Sequence, residues 1–353
     1  MSHSAALITG SHPHLIDHLA PLCDLLNMPL ICTEENEVNL CKTFYPDINV
    51  QHVSYRECTL VYLSKYENLF SSTFWKKEQK ILFQFMTNKI PKLFFVPHGN
   101  SDKGHIKPLL EPYIFQDHVF LYGDQMIDHL KKRNLFSALK ESSRIGNYRL
   151  AYYLAKKSFF DKVVDKQIFS KLNTNNKTLI YCPTWNDYED LSSYSLACQK
   201  LIDQLPKGYN LLIKPHPLIK RRSIEQWVVT DFDKENVFLL DDIPLIYPIM
   251  NRVDGYIGDF SSVGYDFLYT EKPMFFIDKG IEELKHSNLF DCGYKLPIEK
   301  AFSDIDQHID HWSEQKRAKQ KEVFSYAFGK NRNLCEIKKD LVNVIKRAQV
   351  KQR

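Results

Sequence analysis

Short apolar runs alternate with amphipathic stretches along most of the chain. The first run, residues 5–10, predicts a buried strand, and the leucines after it recur every three or four positions, as on one face of a helix. Further strands in this half are predicted at residues 29–32, 59–63, 92–96 and 118–122. This alternation is typical of an α/β fold with a parallel sheet, which binds ligands at the carboxyl ends of its strands.

The same rhythm begins again after the polar tract 172–177, which follows a helical stretch over residues 148–171. Strands are predicted at residues 178–182, 209–214, 237–240, 255–257 and 272–277, with a helix at 193–204. We therefore predict an N-terminal Rossmann-like lobe over 1–150, a helical linker over 151–176, a C-terminal Rossmann-like lobe over 177–303 and polar C-terminal helices over 304–353.

Composition narrows the class of protein. The chain has 353 residues, 44% of them hydrophobic, which is enough for two packed lobes. The net charge of +4 is too small for the basic footprint of a nucleic-acid-binding protein. The eight cysteines form no CxxC pair, so we expect reduced thiols in a cytoplasmic protein. The sequence has no secretion signal and no membrane-spanning apolar run, so membrane contact, at the inner face of the cytoplasmic membrane, would be peripheral.

A strand, a tight turn and a helix start are predicted around Gly258, Asp259, Ser261 and Ser262. Gly258 permits close backbone approach, and two hydroxyls exceed what one helix cap requires. Because free N–H groups at a helix N-terminus attract anions, we predict a donor-phosphate site here, with Asp266 one helical turn further on. The alternative is that these polar residues only cap the helix.

A second buried strand ends in Lys214 and His216, and Pro215 and Pro217 rigidify the loop that carries them. A cation and an imidazole at the carboxyl end of a strand suit the negative charge of a pyrophosphate. Thr184 follows another strand, and its hydroxyl is a further candidate for a phosphate contact. The alternative is that the histidine belongs to a surface loop and faces water.

In the first half of the chain, His98 follows a buried strand almost directly, and Gly99 frees the backbone beside it. An imidazole with a reference pKa of about 6.5 suits a general base that accepts a proton from an attacking hydroxyl. Asn100, Ser101 and Lys103 add polar groups for an acceptor. The alternative is a loop histidine without a function.

Three more histidines, His12, His14 and His18, lie close together near the N-terminus. No carboxylate or cysteine completes a metal-ligand set with them, so no metal is expected, and we assign them to loop and helix-surface positions. The sequence has no P-loop, no GxGxxG and no GxSxG, so ATPase, NAD-dependent and serine-hydrolase functions lack their motifs. No cofactor is predicted.

In their order along the chain, these segments resemble the motifs of the CDP-glycerol glycerophosphotransferase family of teichoic-acid-type polymer synthesis. The resemblance is carried by Pro183-Thr184-Trp185, Lys214-Pro215-His216-Pro217, Asp259-Phe260-Ser261-Ser262, Asp266-Phe267 and Lys272-Pro273. His98-Gly99-Asn100 resembles the family's His-Gly-Thr motif, with Pro97 in place of its Trp. Residues 144–149 resemble its Gly-x-Pro-Arg segment.

This resemblance implies a GT-B fold, with two Rossmann-like lobes around a central cleft. It also implies transfer of a polyol-phosphate group from a CDP-linked donor, such as CDP-glycerol, to a hydroxyl of a glycan, lipid-linked or polymer acceptor. His98 would deprotonate the acceptor, and His216 and Lys214 would stabilise charge on the departing CMP. Phosphate oxygens would be held by Thr184, Ser261 and Ser262.

Two other functions stay open. A GT-B glycosyltransferase would use the same cleft with a nucleotide sugar, and the related UDP-sugar 2-epimerases would need acidic residues near the sugar. A non-catalytic nucleotide- or glycan-binding protein would keep the fold without turnover. In that protein His98 would be dispensable, whereas Ser261 and Ser262 would still be needed for binding.

Overall fold

The computed structural model describes residues 3–54, 60–102, 110–186, 191–222, 234–241, 243–277 and 287–350. The elements of the first lobe are β1 (Ser4–Ile8), α1 (Ile16–Leu26), β2 (Leu30–Cys32), α2 (Glu35–Phe44), β3 (Val50–His52), α3 (Leu60–Leu63), β4 (Asn68–Ser71), α4 (Lys77–Thr87), β5 (Lys92–Phe95), β6 (His118–Leu121), α5 (Asp124–Lys132) and β7 (Ser142–Arg144).

Within the described residues, the strands of this lobe form one parallel sheet in the order β3-β2-β1-β4-β5-β6-β7. The order reverses between β1 and β4, so the loops that follow these two strands diverge and leave a crevice at the carboxyl edge of the sheet. Buried apolar side chains fill β1 and β5, as expected for strands covered on both faces.

The remaining elements are α6 (Tyr148–Ala155), α7 (Lys157–Gln167), β8 (Lys177–Cys182), α8 (Tyr194–Gln204), β9 (Tyr209–Ile213), α9 (Pro217–Arg222), β10 (Val237–Leu239), α10 (Tyr247–Met250), β11 (Gly255–Gly258), α11 (Ser262–Phe267), β12 (Met274–Phe276), β13 (Tyr294–Lys295), α12 (Ala301–Ile309), α13 (Glu314–Phe328) and α14 (Leu334–Val350). The second parallel sheet has the order β10-β9-β8-β11-β12-β13, so its crevice lies between β8 and β11.

The apolar core joins the two lobes and the C-terminal helices. Its largest cluster contains Phe70 and Tyr122 of the first lobe, Tyr256 of the second, and Phe328 of α13. The rings of Tyr122 and Phe328 lie 5.5 Å apart, edge to face. Helices α13 and α14 therefore return to the first lobe and help to build its core, whereas α12 packs on α8 of the second. The domain boundaries at 150, 176 and 303 stay predictions.

The structure corrects several predicted elements. Residues 60–63 form the short helix α3 rather than a strand, and residue 59 lies outside the described residues. The pattern missed β3, β4, β7 and β13. The first three are short and carry few apolar residues: the sequence of β3 is VQH, that of β7 is SSR, and β4 places Asn68 and Ser71 in the interior. A run of that composition gives no hydrophobic signal, and neighbouring strands decide its conformation.

Candidate active site

Loops from the carboxyl edges of both sheets line one open cleft of about 760 Å³. The predicted site residues that line it are His98, Lys214, His216, Ser261, Ser262 and Asp266. They come from the loops after β5 and β9, from the turn after β11 and from the helix α11 that follows it, at or beside the points where the strand order reverses. The two switch points thus explain why residues far apart in the sequence meet in one place.

His98 is exposed to the cleft and is oriented by the first lobe. Its Nδ1 lies 3.1 Å from the backbone oxygen of Ser72, in the loop after β4. A carbonyl oxygen only accepts, so Nδ1 carries the proton and Nε2 keeps a lone pair. The surrounding protein desolvates the ring and lowers the pKa of His98, against the opposing effect of the Ser72 carbonyl. The imidazole is therefore neutral at neutral pH, as a general base must be.

His216 has the opposite arrangement. Its Nδ1 accepts a hydrogen bond from the backbone N–H of Leu218 at 3.2 Å, so the proton of the neutral ring is on Nε2. Lys214, at the end of the same strand, donates its ammonium to the backbone oxygen of Ile243. The second lobe thus offers the cleft an N–H donor and a positive charge, and the first lobe offers it a proton acceptor.

Gly99 brings the two lobes into direct contact beside His98. Its φ of +134° lies in a region that L side chains rarely adopt, and a Cβ there would lie 2.6 Å from Cβ and Oγ of Ser262. A side chain at this position would push the lobes apart. Gly99 therefore supports the site through close approach and does not itself line the cleft.

The predicted donor turn divides into two parts. Ser261 caps α11, because its side chain accepts from the backbone N–H of Val263, and Ser262 is partly exposed in the cleft. Asp259 is fully buried and does not line the cleft. It accepts from the backbone N–H groups of Thr184 and Ser193, at 2.8 and 2.7 Å, and from the Ser193 hydroxyl at 2.7 Å.

Two other predicted residues of the second lobe stand behind the cleft rather than in it. Thr184 is 3% exposed, and Gly258 is buried with the ring of Tyr256 packed over it. Asp259 ties the loop after β8 to the turn after β11. These residues hold the positions of Ser261 and Ser262, and none of them lines the cleft.

The predicted acceptor residues of the first lobe also have structural contacts. Asn100 is buried and donates its side-chain amide to the backbone oxygen of Ala327 in α13, at 2.8 Å. Ser101 is partly buried and lies outside the cleft lining, and Lys103 lies outside the described residues. The neighbouring Asp102 accepts from Tyr265 at 2.7 Å and from Ser287 at 2.5 Å, which ties this loop to the second lobe.

Sequence reasoning missed a buried ion triad at the floor of the cleft. Arg149, in α6, donates to Asp266 at 2.9 Å and to Asp17 through its Nε at 3.0 Å, and all three side chains are almost fully buried. Burial opposes the guanidinium charge, but Asp266 and Asp17 hold the pKa of Arg149 well above its ordinary value. Burial raises the pKa of Asp266 despite this partner. The triad joins α1, α6 and α11, and so joins both lobes.

His14 and His18 also line the cleft, although the sequence analysis assigned them to loop and helix-surface positions. That assignment is wrong for His18, which is 5% exposed. Burial, and then Arg149, lowers the pKa of His18 well below its ordinary value. The signal that could have found both is their place after β1, beside the switch point of the first sheet. Among the described residues, no cluster of three metal-ligating side chains could hold a metal ion.

Two parallel sheets with a shared cleft define the GT-B architecture, and solved structures agree. The wall teichoic acid polymerase TagF aligns with a TM-score of 0.66 and 13% identity, over 99% of this chain and 89% of TagF. UDP-GlcNAc 2-epimerase from Neisseria meningitidis aligns with a TM-score of 0.56 and 14% identity, over 98% of this chain and all of the epimerase. At such identities the likeness concerns the fold.

Sequence comparison gives the family. The model of CDP-glycerol:poly(glycerophosphate) glycerophosphotransferases matches residues 154–331, half of the chain. The chain is 26% identical to teichoic acid glycerol-phosphate primase of Bacillus subtilis over 254 residues, 69% of this chain. It is 29% identical to the minor teichoic acid biosynthesis protein GgaB of the same organism over 168 residues. The chain belongs to the CDP-glycerol:poly(glycerophosphate) glycerophosphotransferase family.

The alignments leave part of these relatives unmatched, since this chain covers 59% of the primase and 18% of GgaB. The matched region contains Lys214, His216, Ser261, Ser262 and Asp266, whereas His98 and His14 precede the part that the family model covers. None of the described helices has both the length and the apolar content of a membrane span.

Proposed function

We propose that this protein transfers a glycerol-phosphate or similar polyol-phosphate group from a CDP-linked donor to a hydroxyl acceptor, in the synthesis of a cell-surface polymer. The observation that carries the proposal is the opposite hydrogen bonding of two imidazoles in one cleft. His98 keeps a lone pair on Nε2, and His216 carries a proton there. In-line phosphoryl transfer needs both an acceptor for the nucleophile's proton and donors for the developing charge.

In the proposed reaction, the acceptor hydroxyl attacks the β-phosphorus of the CDP-alcohol. His98 Nε2 takes the hydroxyl proton as the new P–O bond forms, and the bond from the β-phosphorus to the bridging oxygen breaks, which releases CMP. His216 and Lys214 stabilise the charge on the departing CMP, and the hydroxyls of Ser261 and Ser262 hold phosphate oxygens. Positioning and electrostatics supply the catalysis, so the step needs no covalent intermediate.

The relatives support the choice of donor. The matching family is described as transferring from CDP-glycerol to poly(glycerophosphate), and the related primases are named for glycerol phosphate and ribitol phosphate. A nucleotide-sugar enzyme is the second candidate, since structures with the same fold include a UDP complex of MnaA from S. aureus. Two described carboxylates line the cleft, Asp241 and Asp266, and Asp266 is already paired with Arg149, which argues against the use of Asp266 as a free acid near a sugar.

Calorimetry with CMP, UMP and GMP separates these candidates. We expect CMP to bind more tightly than UMP or GMP, and CDP-glycerol with a glycerol-phosphate acceptor to release CMP. Tighter binding of UMP together with UDP-sugar turnover would favour the glycosyltransferase. Nucleotide binding that survives His98→Ala, without turnover of any donor by the wild type, would identify a non-catalytic binding protein.

Peripheral contact with a membrane is a further part of the proposal, and α4 supports it. Five of the nine exposed large hydrophobic side chains in the described residues lie on this helix or just after it: Ile81, Leu82, Phe85, Met86 and Ile90, with exposures of 51–87%. Only Phe83 of the helix is fully buried. A soluble helix normally directs its apolar stripe toward the core, so an apolar stripe toward solvent marks a binding face.

The charges around this face favour an anionic lipid surface as the occupant. The exposed charged residues on this helix and in the segments that flank it are Lys65, Lys76, Lys77 and Lys89, with Glu67 and Glu78, so lysines outnumber carboxylates there. Each lysine near an anionic leaflet contributes about 1 kcal/mol of attraction, and apolar side chains between them enter the interfacial region. Helix α4 begins five residues after Ser72, whose carbonyl orients His98, so the face belongs to the acceptor side of the cleft.

Sedimentation with phosphatidylglycerol–phosphatidylcholine vesicles tests this contact. We expect binding that weakens with salt, and loss of binding in Phe85→Glu. The matched control is Leu154→Glu, at an exposed leucine of α6 outside the face. Equal binding of Phe85→Glu and wild type would refute the lipid contact. Concentration-dependent dimers that Phe85→Glu abolishes would assign the face to a second copy of the chain instead.

A further inference from the structure

A third imidazole lies between the two that the proposed reaction uses. The ring of His14, in the loop after β1, is 5.3 Å from that of His216 and 6.2 Å from that of His98, measured between centroids. It lines the cleft and is partly exposed there. Neither sequence motif nor family match assigns it a role, because residues 154–331 do not include it.

The surroundings of His14 decide where its proton sits. Its Nδ1 is buried and has no hydrogen-bond partner among the described residues. A proton on that nitrogen would be a buried donor without an acceptor, whereas a bare lone pair there is less costly to leave unpaired. The neutral ring therefore carries its proton on Nε2, the nitrogen through which a partly exposed ring reaches the cleft.

The ring is also held in its neutral form. Burial lowers the pKa of His14 well below the ordinary value, and the nearby His216, His98 and Lys214 add to the effect. A neutral imidazole with a fixed N–H can donate a hydrogen bond and cannot compete with His98 for the proton of the acceptor hydroxyl. His14 thus matches His216 in tautomer and differs from His98.

We propose that His14 donates a hydrogen bond from Nε2 to an oxygen of the phosphoryl group that is transferred, from the first-lobe side of the cleft. This role rests on the proposed function. The two N–H donors, His14 and His216, whose rings are 5.3 Å apart, would contact neighbouring oxygens of the same phosphate, with the lone pair of His98 directed at the incoming hydroxyl. Arg149 cannot replace them, because Asp17 and Asp266 occupy its guanidinium.

Substitutions that separate the two ring nitrogens test the proposal. In His14→Gln the side-chain amide lies near the position of Nε2, and in His14→Asn it lies near that of Nδ1. We expect His14→Ala to lower kcat with CDP-glycerol by about 10²-fold, the effect of removing one fixed donor to a developing charge, with a much smaller change in KM. We expect His14→Gln to restore part of the loss and His14→Asn to restore none.

The matched control is His12→Ala, at a neighbouring histidine whose ring is 5.7 Å from that of His14 and which does not line the cleft. We expect His12→Ala to keep kcat within about threefold of wild type. A wild-type kcat in His14→Ala, or equal loss in the Gln and Asn variants, would overturn the role of Nε2.

A second measurement keeps this inference separate from the proposed function. Pyrophosphate binding, measured by calorimetry, needs no knowledge of the donor. Suppose that wild type does not turn over CDP-glycerol, but that pyrophosphate binds less tightly to His14→Ala and normally to His14→Gln. This result would support the contact between His14 and the anion and would refute the proposed reaction. Unchanged pyrophosphate affinity in His14→Ala, with unchanged turnover of whatever donor wild type uses, would refute the contact.

Discussion

The two walls of the cleft are built in different ways. The turn of the second-lobe wall is held from within its own lobe: Asp259 joins the turn after β11 to Thr184 and Ser193, and Ser261 caps α11. In the first-lobe wall, Ser72 of the same lobe orients His98, but the two residues after His98 are held by other parts of the molecule. Gly99 lies against Ser262, and Asn100 is hydrogen-bonded to Ala327 in α13.

Because of this difference, substitutions in the two walls should have different consequences. A change within the second-lobe wall alters local structure that the lobe itself stabilises. A change in the first-lobe wall alters how the lobes meet, and so alters the distance between the proposed base and the proposed donors. Variants of both walls distinguish residues that act in the reaction from residues that hold either wall.

The largest effect is expected from His98→Ala. Removal of the base from the first-lobe wall should lower kcat/KM by about 10²–10⁴-fold with the fold intact. His216→Ala, in the opposite wall, should lower kcat by about 10²–10³-fold through loss of a donor. Steady-state CMP release measures both, and circular dichroism checks the fold. Near-normal turnover in either variant would refute its assigned role.

The pH dependence of kcat/KM in the wild type tests the role of His98 as a base that is neutral at neutral pH. Desolvation lowers the pKa of His98, so the base stays neutral below the ordinary histidine value of about 6.5. We expect kcat/KM to stay level as the pH falls to 6.5 and to decrease only below it, when His98 is protonated. An acid limb centred above 6.5 would assign the limiting group to another residue.

The next largest effect is expected on stability, from the loss of the ion triad that joins the two lobes. Arg149→Met should lower the free energy of unfolding by about 3–5 kcal/mol, because it leaves Asp17 and Asp266 buried without their cation. The control is Arg252→Met, which removes a half-exposed ion pair with Asp165 and should cost less than about 1 kcal/mol. Urea unfolding measures both. Equal stabilities of the two variants would contradict the bridging role of the triad.

Asp259→Asn should act on stability and leave the open cleft unchanged. The amide cannot accept all three hydrogen bonds, and one buried donor left unpaired costs about 1–3 kcal/mol in the free energy of unfolding. We expect the folded variant to bind CMP within about threefold of wild type. A large loss of CMP affinity with an unchanged free energy of unfolding would show that Asp259 contributes to donor binding, as the sequence predicted.

Ser261→Ala should have the smallest effect on stability, about 1 kcal/mol for loss of a helix cap. Ser313→Ala is the matched control, since the Ser313 side chain also caps a helix, α13, where it accepts from the backbone N–H of Lys316 far from the turn. If Ser261 also holds a phosphate oxygen, only Ser261→Ala should weaken pyrophosphate binding. Equal pyrophosphate affinity in both variants would limit Ser261 to capping.

Most of the second lobe could be predicted from sequence, because its strands are continuous apolar runs and its polar residues follow them directly. Strands β8, β9 and β11 lie within a residue or two of the predicted bounds. Short or polar strands such as β4 and β7 could not be predicted, since only their neighbours make them strands. The strand predicted over residues 59–63 was wrong for a different reason. Residues 60–63 form a helix, and an apolar run of four residues fits a helix turn as well as it fits a strand.

The sequence by itself determined the α/β class, the two lobes, and which polar residues follow buried strands, because hydrophobic periodicity and chain order carry that information. Only the tertiary structure decided which of those residues reach the cleft. It buried Asp259 and Asn100 in supporting contacts and brought His14 and Arg149 into the site. It also set the proton positions of His98 and His216. These outcomes depend on contacts between residues far apart in the chain, and no local pattern contains them.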